Sequence, residues 1–189
     1  AFPKEKVILT GNPVREVMFA EWGGTAGSKP YFGFDSGLPM VLVLGGSQGS
    51  QRINDFVLDN LEFLLKEVQI CHQVGVKNLK GAEEIAGVVL GGLPQDLRRR
   101  YVLKSYLDGK EMKMALDAAD FVISRAGSGA IFEAAAFGKP MILVPLKEAA
   151  NNHQQVNAYE YSKVGAAVVL EEENLKLNLF LDQMKRVLD

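Results

Sequence analysis

The sequence predicts an α/β protein built on a doubly wound, parallel, Rossmann-like sheet, and three observations carry that expectation. Short apolar runs alternate with amphipathic stretches along the chain, the pattern of βα units feeding a parallel sheet. Met40-Val41-Leu42-Val43-Leu44 is apolar without a break, as a strand covered on both faces requires. Twice, such a run passes through a glycine-rich loop into a helix, at Gly45-Gly46-Ser47-Gln48-Gly49-Ser50 and at Ser124-Arg125-Ala126-Gly127-Ser128-Gly129.

In chain order, Val7-Ile8-Leu9-Thr10 reads as a short strand and Gly11-Asn12-Pro13-Val14-Arg15 as a turn with Arg15 at its exit. Residues 21–39, rich in Gly, Pro, Ser and aromatics, read as a linker-like loop. After the strand at 40–44 and its loop, Ile53, Phe56, Val57, Leu61 and Leu64 keep the spacing of one helix. Residues 68–74 read as the next strand, with His72 as a satisfied structural residue. Val88-Val89-Leu90 and Tyr101-Val102-Leu103 read as short strands around the turn Gly91-Gly92-Leu93-Pro94. Met112, Ala115, Leu116 and Ala119 mark one face of a helix over 111–119. A strand at 120–124 then feeds a helix stopped by Gly138-Lys139-Pro140. Met141-Ile142-Leu143-Val144 is a buried strand, 166–170 a last strand, and 174–188 a last helix with Leu175, Leu179 and Met184 inward.

Composition narrows the function classes. A chain of 189 residues, 48% hydrophobic, fits one globular domain over 1–189 with no internal repeat. With 21 Lys+Arg against 23 Asp+Glu the net charge is −2, which argues against a nucleic-acid partner. The single cysteine, Cys71, sits in an apolar run and reads as a reduced core residue of a cytosolic-type protein. No apolar run approaches the roughly 18 residues that span a bilayer. The chain starts at Ala1 rather than methionine, so it is expected to be a piece of something longer.

The two glycine-rich loops suggest phosphate cradles, because a helix start leaves backbone N–H groups unpaired at the positive end of its dipole. The first loop is neither a P-loop nor a dinucleotide fingerprint, and a plain tight turn is the alternative. Glu133, one turn into the helix after Gly129, is placed to accept from two adjacent ribose hydroxyls. The alternative is that it only offsets the helix dipole. In Asn151-Asn152-His153-Gln154-Gln155-Val156-Asn157, five amides and an imidazole offer the paired donors and acceptors that sugar hydroxyls need. Helix capping by Asn151 or Asn152 is the alternative there.

Taken together these motifs resemble the MurG family, which transfers N-acetylglucosamine from UDP-GlcNAc to lipid I to make lipid II for peptidoglycan. The resemblance is carried by Gly11-Asn12-Pro13-Val14-Arg15, Gly45-Gly46-Ser47-Gln48-Gly49-Ser50, His72-Gln73-Val74-Gly75, Ser124-Arg125-Ala126-Gly127 with Glu133, and Asn152-His153-Gln154 with Asn157-Ala158. It runs from about residue 7 to the end and corresponds to the carboxyl-terminal, donor-binding half of a GT-B glycosyltransferase. The resemblance implies that Ser47, Gln48 and Gly49, with Gly127, Ser128 and Gly129, face the diphosphate, and that Arg15 adds positive charge beside it. It further implies that Leu107 and Met112 flank the uracil, with backbone groups near Leu107 reading its edge. Glu133 takes the ribose hydroxyls, and His153 and Gln154 meet the sugar.

The amino-terminal half of the family pattern is absent, and with it the acceptor site for lipid I, the membrane-contacting patch and the expected catalytic base. No catalytic residue is therefore assigned here. The family resemblance places the full-length protein in the cytoplasm, peripheral on the inner face of the cell membrane. No cofactor is expected and no divalent metal, since the chain has no Asp-x-Asp pair. A second reading is a natural stand-alone UDP-GlcNAc-binding subunit that acts only with a separate membrane-bound partner, as in the eukaryotic split N-acetylglucosaminyltransferase. A more distant one is another nucleotide-sugar enzyme of the same fold, such as a UDP-GlcNAc epimerase.

Overall fold

Five consecutive apolar residues open the sheet. β1 (Met40–Leu44) buries all five in the computed structural model of the chain, which describes residues 3–6, 8, 11–20, 28–46, 48–147 and 152–188. β2 (Gln69–Gln73), β3 (Tyr101–Lys104), β4 (Phe121–Ser124), β5 (Met141–Leu143) and β6 (Ala167–Val169) follow. Among the described residues the sheet has six strands in the order β3-β2-β1-β4-β5-β6, and every pairing is parallel. The order reverses between β1 and β4, and in such sheets ligands bind beyond the carboxyl ends of the strands at that point.

Parallel strands need crossovers, and the helices supply them. α1 (Ser28–Tyr31) precedes β1, and α2 (Gln51–Asp59) with α3 (Leu61–Glu67) joins β1 to β2. α4 (Leu79–Gly91) and α5 (Gln95–Arg98) join β2 to β3, and α6 (Gly109–Ala118) joins β3 to β4. α7 (Ser128–Ala136), α8 (His153–Lys163) and α9 (Leu177–Leu188) complete the chain. Alternation along the strands sorts two cores. Val41, Val43, Ile70, Phe121 and Ile123 pack with Ile53, Phe56, Leu61, Leu64, Phe180 and Met184 on one face. Met40, Leu42, Leu44, Cys71 and Val122 pack with Leu107, Met112, Leu116, Ile131 and Ala158 on the other. Cys71 is buried and unpaired, as its apolar run implied, and desolvation holds its thiol up at about 12. Among the described residues no helix is long and apolar enough to cross a membrane.

Four expectations need correction or fall outside the described residues. Val88-Val89-Leu90 is the end of α4, not a strand. Ala82 and Ala86 are buried, Val89 and Leu90 pack partly against the core, and Val88 is 81% exposed, so helical spacing overrides a short apolar run. The single helix expected after Ser50 is two, split at Asn60, whose side chain donates to the Phe56 carbonyl. Within the stretch 21–39, residues 28–39 are packed rather than linker-like. Phe32 and Phe34 are buried and stacked, Lys29 pairs with Asp120 at 2.9 Å, and buried Gln69 bonds Asp35 and Leu38. The strand expected at 7–10 falls largely on residues 7, 9 and 10, outside the described residues.

One polar network crosses the first core. The His72 ring, fully buried, meets the Tyr101 hydroxyl at Nδ1 (3.0 Å) and Asn54 Oδ1 at Nε2 (3.1 Å), while Asn54 Nδ2 donates to the Val74 carbonyl. His72 is thus the satisfied structural residue that the sequence suggested. Desolvation pushes its imidazole down to about 3 from an ordinary 6.5.

That burial makes stability depend on pH with a fixed sign. The folded state holds His72 neutral, while the unfolded chain takes a proton below about 6.5. The contribution is therefore full above pH 6.5 and drains away as pH falls toward about 3, at up to roughly 1.4 kcal/mol per pH unit. Circular-dichroism melts between pH 7.5 and 4.5 should show the melting temperature of the wild type falling more steeply than that of His72→Gln. Parallel curves would mean that the folded protein accepts the proton.

Candidate functional site

Both glycine-rich loops lie at the carboxyl ends of β1 and β4, on either side of the point where strand order reverses. The first is held by close backbone approach. Gly49 sits at φ +78°, and a Cβ there would lie 2.0 Å from the Val74 carbonyl; at Gly75, φ +90°, it would lie 2.6 Å from the Gln48 carbonyl. Only glycine lets the loop press against the end of β2. Ser50 then caps α2, its Oγ accepting from the Ile53 amide at 3.4 Å. Gln48 is exposed, Gly49 half-buried, and Ser47 lies outside the described residues.

At the second loop, Gly127 is the N-cap of α7 and offers no side chain to the first turn. The N-terminal amides of this nine-residue helix, Ser128 and Gly129 among them, are thus not capped by a side chain, and both residues are exposed. An anion at this end is favoured by the unpaired donors and by the dipole. Arg125, just before the turn, is a brace: its guanidinium donates to the Val144 carbonyl and to Glu172 Oε1.

Glu133 projects from the same helix and is held by Arg15. The guanidinium Nε donates to Oε1 at 2.5 Å and Nη2 to Oε2 at 3.0 Å, a two-pronged pair between residues 118 apart in sequence. The Glu133 hydrogen bond is the largest influence on Arg15 and raises its pKa above the ordinary value. Arg15 thus meets the carboxylate directly. An ionised carboxylate has about four acceptor positions, so this pair leaves room for a diol.

Arg15, Glu133, Leu107, Met112 and Gly129 line one cavity of about 220 Å³, together with Leu44, Gly46, Gln73, Tyr106 and Ala130. The family resemblance assigns the first five to one ligand; Gly46 and Gln73 stand in its motifs without a role of their own, and Leu44, Tyr106 and Ala130 are given none. Tyr106 adjoins Leu107 after β3, is half exposed and bears on Arg15, yet nothing in its spacing marks it. Leu107 and Met112 are buried apolar walls. The Leu107 amide is already given to Gln73 Oε1 at 3.1 Å, so it does not serve as a free edge reader. The run Asp108-Gly109-Lys110-Glu111 is a capping box that starts α6. Size alone does not locate the site. A cavity of about 380 Å³ bordered by Asp35, Gln69, Asp96 and Arg100 lies at the amino ends of the strands, away from both glycine loops.

The amide-rich stretch divides. Asn152, in a left-handed conformation at φ 53°, precedes α8 and makes no side-chain cap bond. Gln154 Oε1 accepts from the Leu146 amide, and Asn157 Nδ2 donates to the Ala126 carbonyl. Both tie α8 to neighbouring loops. His153, the exposed first residue of α8, falls outside the cavity lining with Gln154; Ser128 borders a separate groove beside Phe132 and Asn157. Among the described residues no group of three or more His, Cys, Asp or Glu could hold a metal ion.

Three comparisons bear on this arrangement. Residues 40–188 match the model of the glycosyltransferase family 28 C-terminal domain. Relatives named UDP-N-acetylglucosamine--N-acetylmuramyl-(pentapeptide) pyrophosphoryl-undecaprenol N-acetylglucosamine transferase include those of Treponema denticola and Clostridium tetani. The first is 35% identical over 94% of this chain and 45% of its own length, the second 37% over 96% and 47%. The crystal structure of MurG from Acinetobacter baumannii superposes with a TM-score of 0.69 at 22% identity, covering 100% of this chain and 50% of that one, which shows the fold. The chain thus spans about half the length of the curated relatives it matches. With its six parallel strands and its matched span of 149 residues, the chain belongs to the glycosyltransferase family 28 C-terminal domain family.

Proposed function

We propose that this chain is the donor half of a glycosyltransferase: it holds UDP-GlcNAc, and the whole protein transfers the GlcNAc to lipid I, completing lipid II for peptidoglycan. The observation that carries the reading is the single cavity in which Arg15, Glu133, Leu107, Met112 and Gly129 meet at the strand ends. The relatives' names supply the sugar nucleotide and the lipid-linked acceptor by analogy. At about 220 Å³ the cavity is smaller than the roughly 300–1,000 Å³ of complete ligand sites, as one wall of a cleft is.

In this reading the uracil lies between Leu107 and Met112, and Glu133 accepts from the ribose hydroxyls while Arg15 holds its orientation. The diphosphate lies against the start of α7, at Gly127, Ser128 and Gly129, and against the loop bearing Ser47, Gln48 and Gly49. His153 and Gln154 meet the sugar. In transfer, an acceptor oxygen attacks the sugar C1, the C1–O bond to the diphosphate breaks, and UDP leaves with the electron pair. Amides at the α7 start favour that leaving group, because their donors are fixed where negative charge develops, while the Arg15 charge is already answered by Glu133. The proton of the attacking hydroxyl passes to a base on the other half, which also carries the lipid I site and meets the inner face of the cell membrane.

Calorimetry with UDP should show Glu133→Ala binding roughly 10- to 100-fold more weakly, since a charge-assisted bond is worth about 1.5–3 kcal/mol. Equal affinity in a folded variant would put the ribose elsewhere. The donor site needs no divalent metal in this reading, so UDP-GlcNAc affinity should be unchanged by EDTA. Binding that vanishes with EDTA and returns with magnesium would overturn that expectation. Finally, radiolabelled GlcNAc should not pass to a lipid I analogue with this chain alone, because donor binding without a positioned base and acceptor does not lower the barrier. Clear turnover by the chain alone would place the base on it.

A further inference from the structure

The loops after β1 and β3 both reach the cavity, yet they stand on opposite sides of β2. One residue touches both. Gln73, the last of β2 and 3% exposed, accepts from the Leu107 amide through Oε1 at 3.1 Å and donates through Nε2 to the Gly46 carbonyl at 3.3 Å. Its planar amide thus fixes the glycine-rich loop against the loop that carries Tyr106 and Leu107. Both bonds go to main chain, so they set where each loop's backbone stands rather than how a side chain turns. Gly46 sits at φ +83°, and the loop beyond it is already pressed onto Val74 and Gly75, so a displacement at Gly46 is carried along it.

We propose that Gln73 is a positioning residue that couples the diphosphate half of the site to the base half. The proposal rests on the nucleotide-sugar reading above. With the brace in place, a ligand that fills one half holds the other half ready, and UDP gains over the sum of its parts. Without it each half still binds its own fragment, but the two no longer reinforce each other. Coupling between groups that share one hydrogen-bonded partner is commonly worth about a tenfold change in affinity. Neither His72 nor Asn54 can substitute, because they face the opposite side of the sheet.

The test is a set of calorimetric titrations of uridine, inorganic pyrophosphate and UDP on the wild-type chain and on Gln73→Met. The expected result is that uridine and pyrophosphate each change by no more than about threefold, while UDP weakens about tenfold beyond the product of those two changes. A loss for UDP equal to that product would overturn the proposal, as would an equal weakening of all three ligands, which a general loosening of the fold produces. A wild-type chain that binds no UDP would overturn the nucleotide reading and the brace with it. If the wild type binds UDP and Gln73→Met binds it equally, only the brace fails. Should Gln73→Met not fold, amide NMR of the wild type decides: pyrophosphate alone should shift the Leu107 amide, and uridine alone the Gly46 amide. Shifts confined to the loop next to each fragment would overturn the coupling.

Discussion

β1 gives all five of its side chains to the interior, and each of its neighbours runs parallel to it. A parallel sheet with both faces covered needs a helix in every crossover, and it brings the carboxyl ends of all its strands to one edge. Everything placed in the candidate site follows from that. Loops that are far apart in sequence, after β1, β3 and β4, arrive side by side because β1 lies between β2 and β4. Of the helices that follow these three loops, α7 alone starts without a side-chain cap, while Ser50 caps α2 and a capping box starts α6. Chemistry at the other edge would have to be built from helix ends of the opposite polarity, which attract cations rather than phosphate.

The Arg15–Glu133 pair ties the segment before the sheet to α7 and lies at the rim of the cavity. Its stabilising value is small, because the arginine side chain is 41% exposed and water screens the attraction. Its geometric value is larger. Two-pronged bonding fixes the plane of the carboxylate, so the acceptor positions left over are aimed in advance. Val17, just after Arg15, approaches Gly109 at the start of α6, so the same segment is held from both sides of the cavity.

The parts of the fold that could be read from the sequence are those that one physical signal decides. Unbroken apolar runs such as Met40–Leu44 mark strands buried on both faces, and the turn at Ala126-Gly127 marks a helix start. Val88-Val89-Leu90 carries the same apolar signal but belongs to a helix whose buried face is Ala82 and Ala86, too small to announce itself. Residues 28–39 look like a loop by composition, and only tertiary contacts with Gln69, Asp120 and α6 make them part of the core. In the site, Glu133 is legible as a lone carboxylate on an apolar helix. Gln73 and Tyr106 are not, because their relevance comes from which strands neighbour each other, and no local pattern encodes that order. The amides of Gln154 and Asn157 illustrate the converse: their composition suits hydroxyls, yet both have bonds to nearby main chain.

The network around His72 has a direction. Asn54 gives its Nδ2 to the Val74 carbonyl, so its Oδ1 is an acceptor; His72 must then carry its proton on Nε2, and Nδ1 must accept from Tyr101. Asn78 Nδ2 reaches the same carbonyl, filling its second lone pair. The Val74 oxygen therefore has nothing left to offer a neighbouring strand, while the Val74 and Gly75 amides still donate to the Lys104 and Ser105 carbonyls. At this end of β2 the main chain thus donates to the β3 side while its last carbonyl accepts from asparagine side chains instead of a strand. An aspartate at position 54 would be nearly the same shape, yet it could only accept. It would reverse no bond and satisfy no carbonyl, and it would leave a charge inside the core beside an imidazole that resists taking a proton.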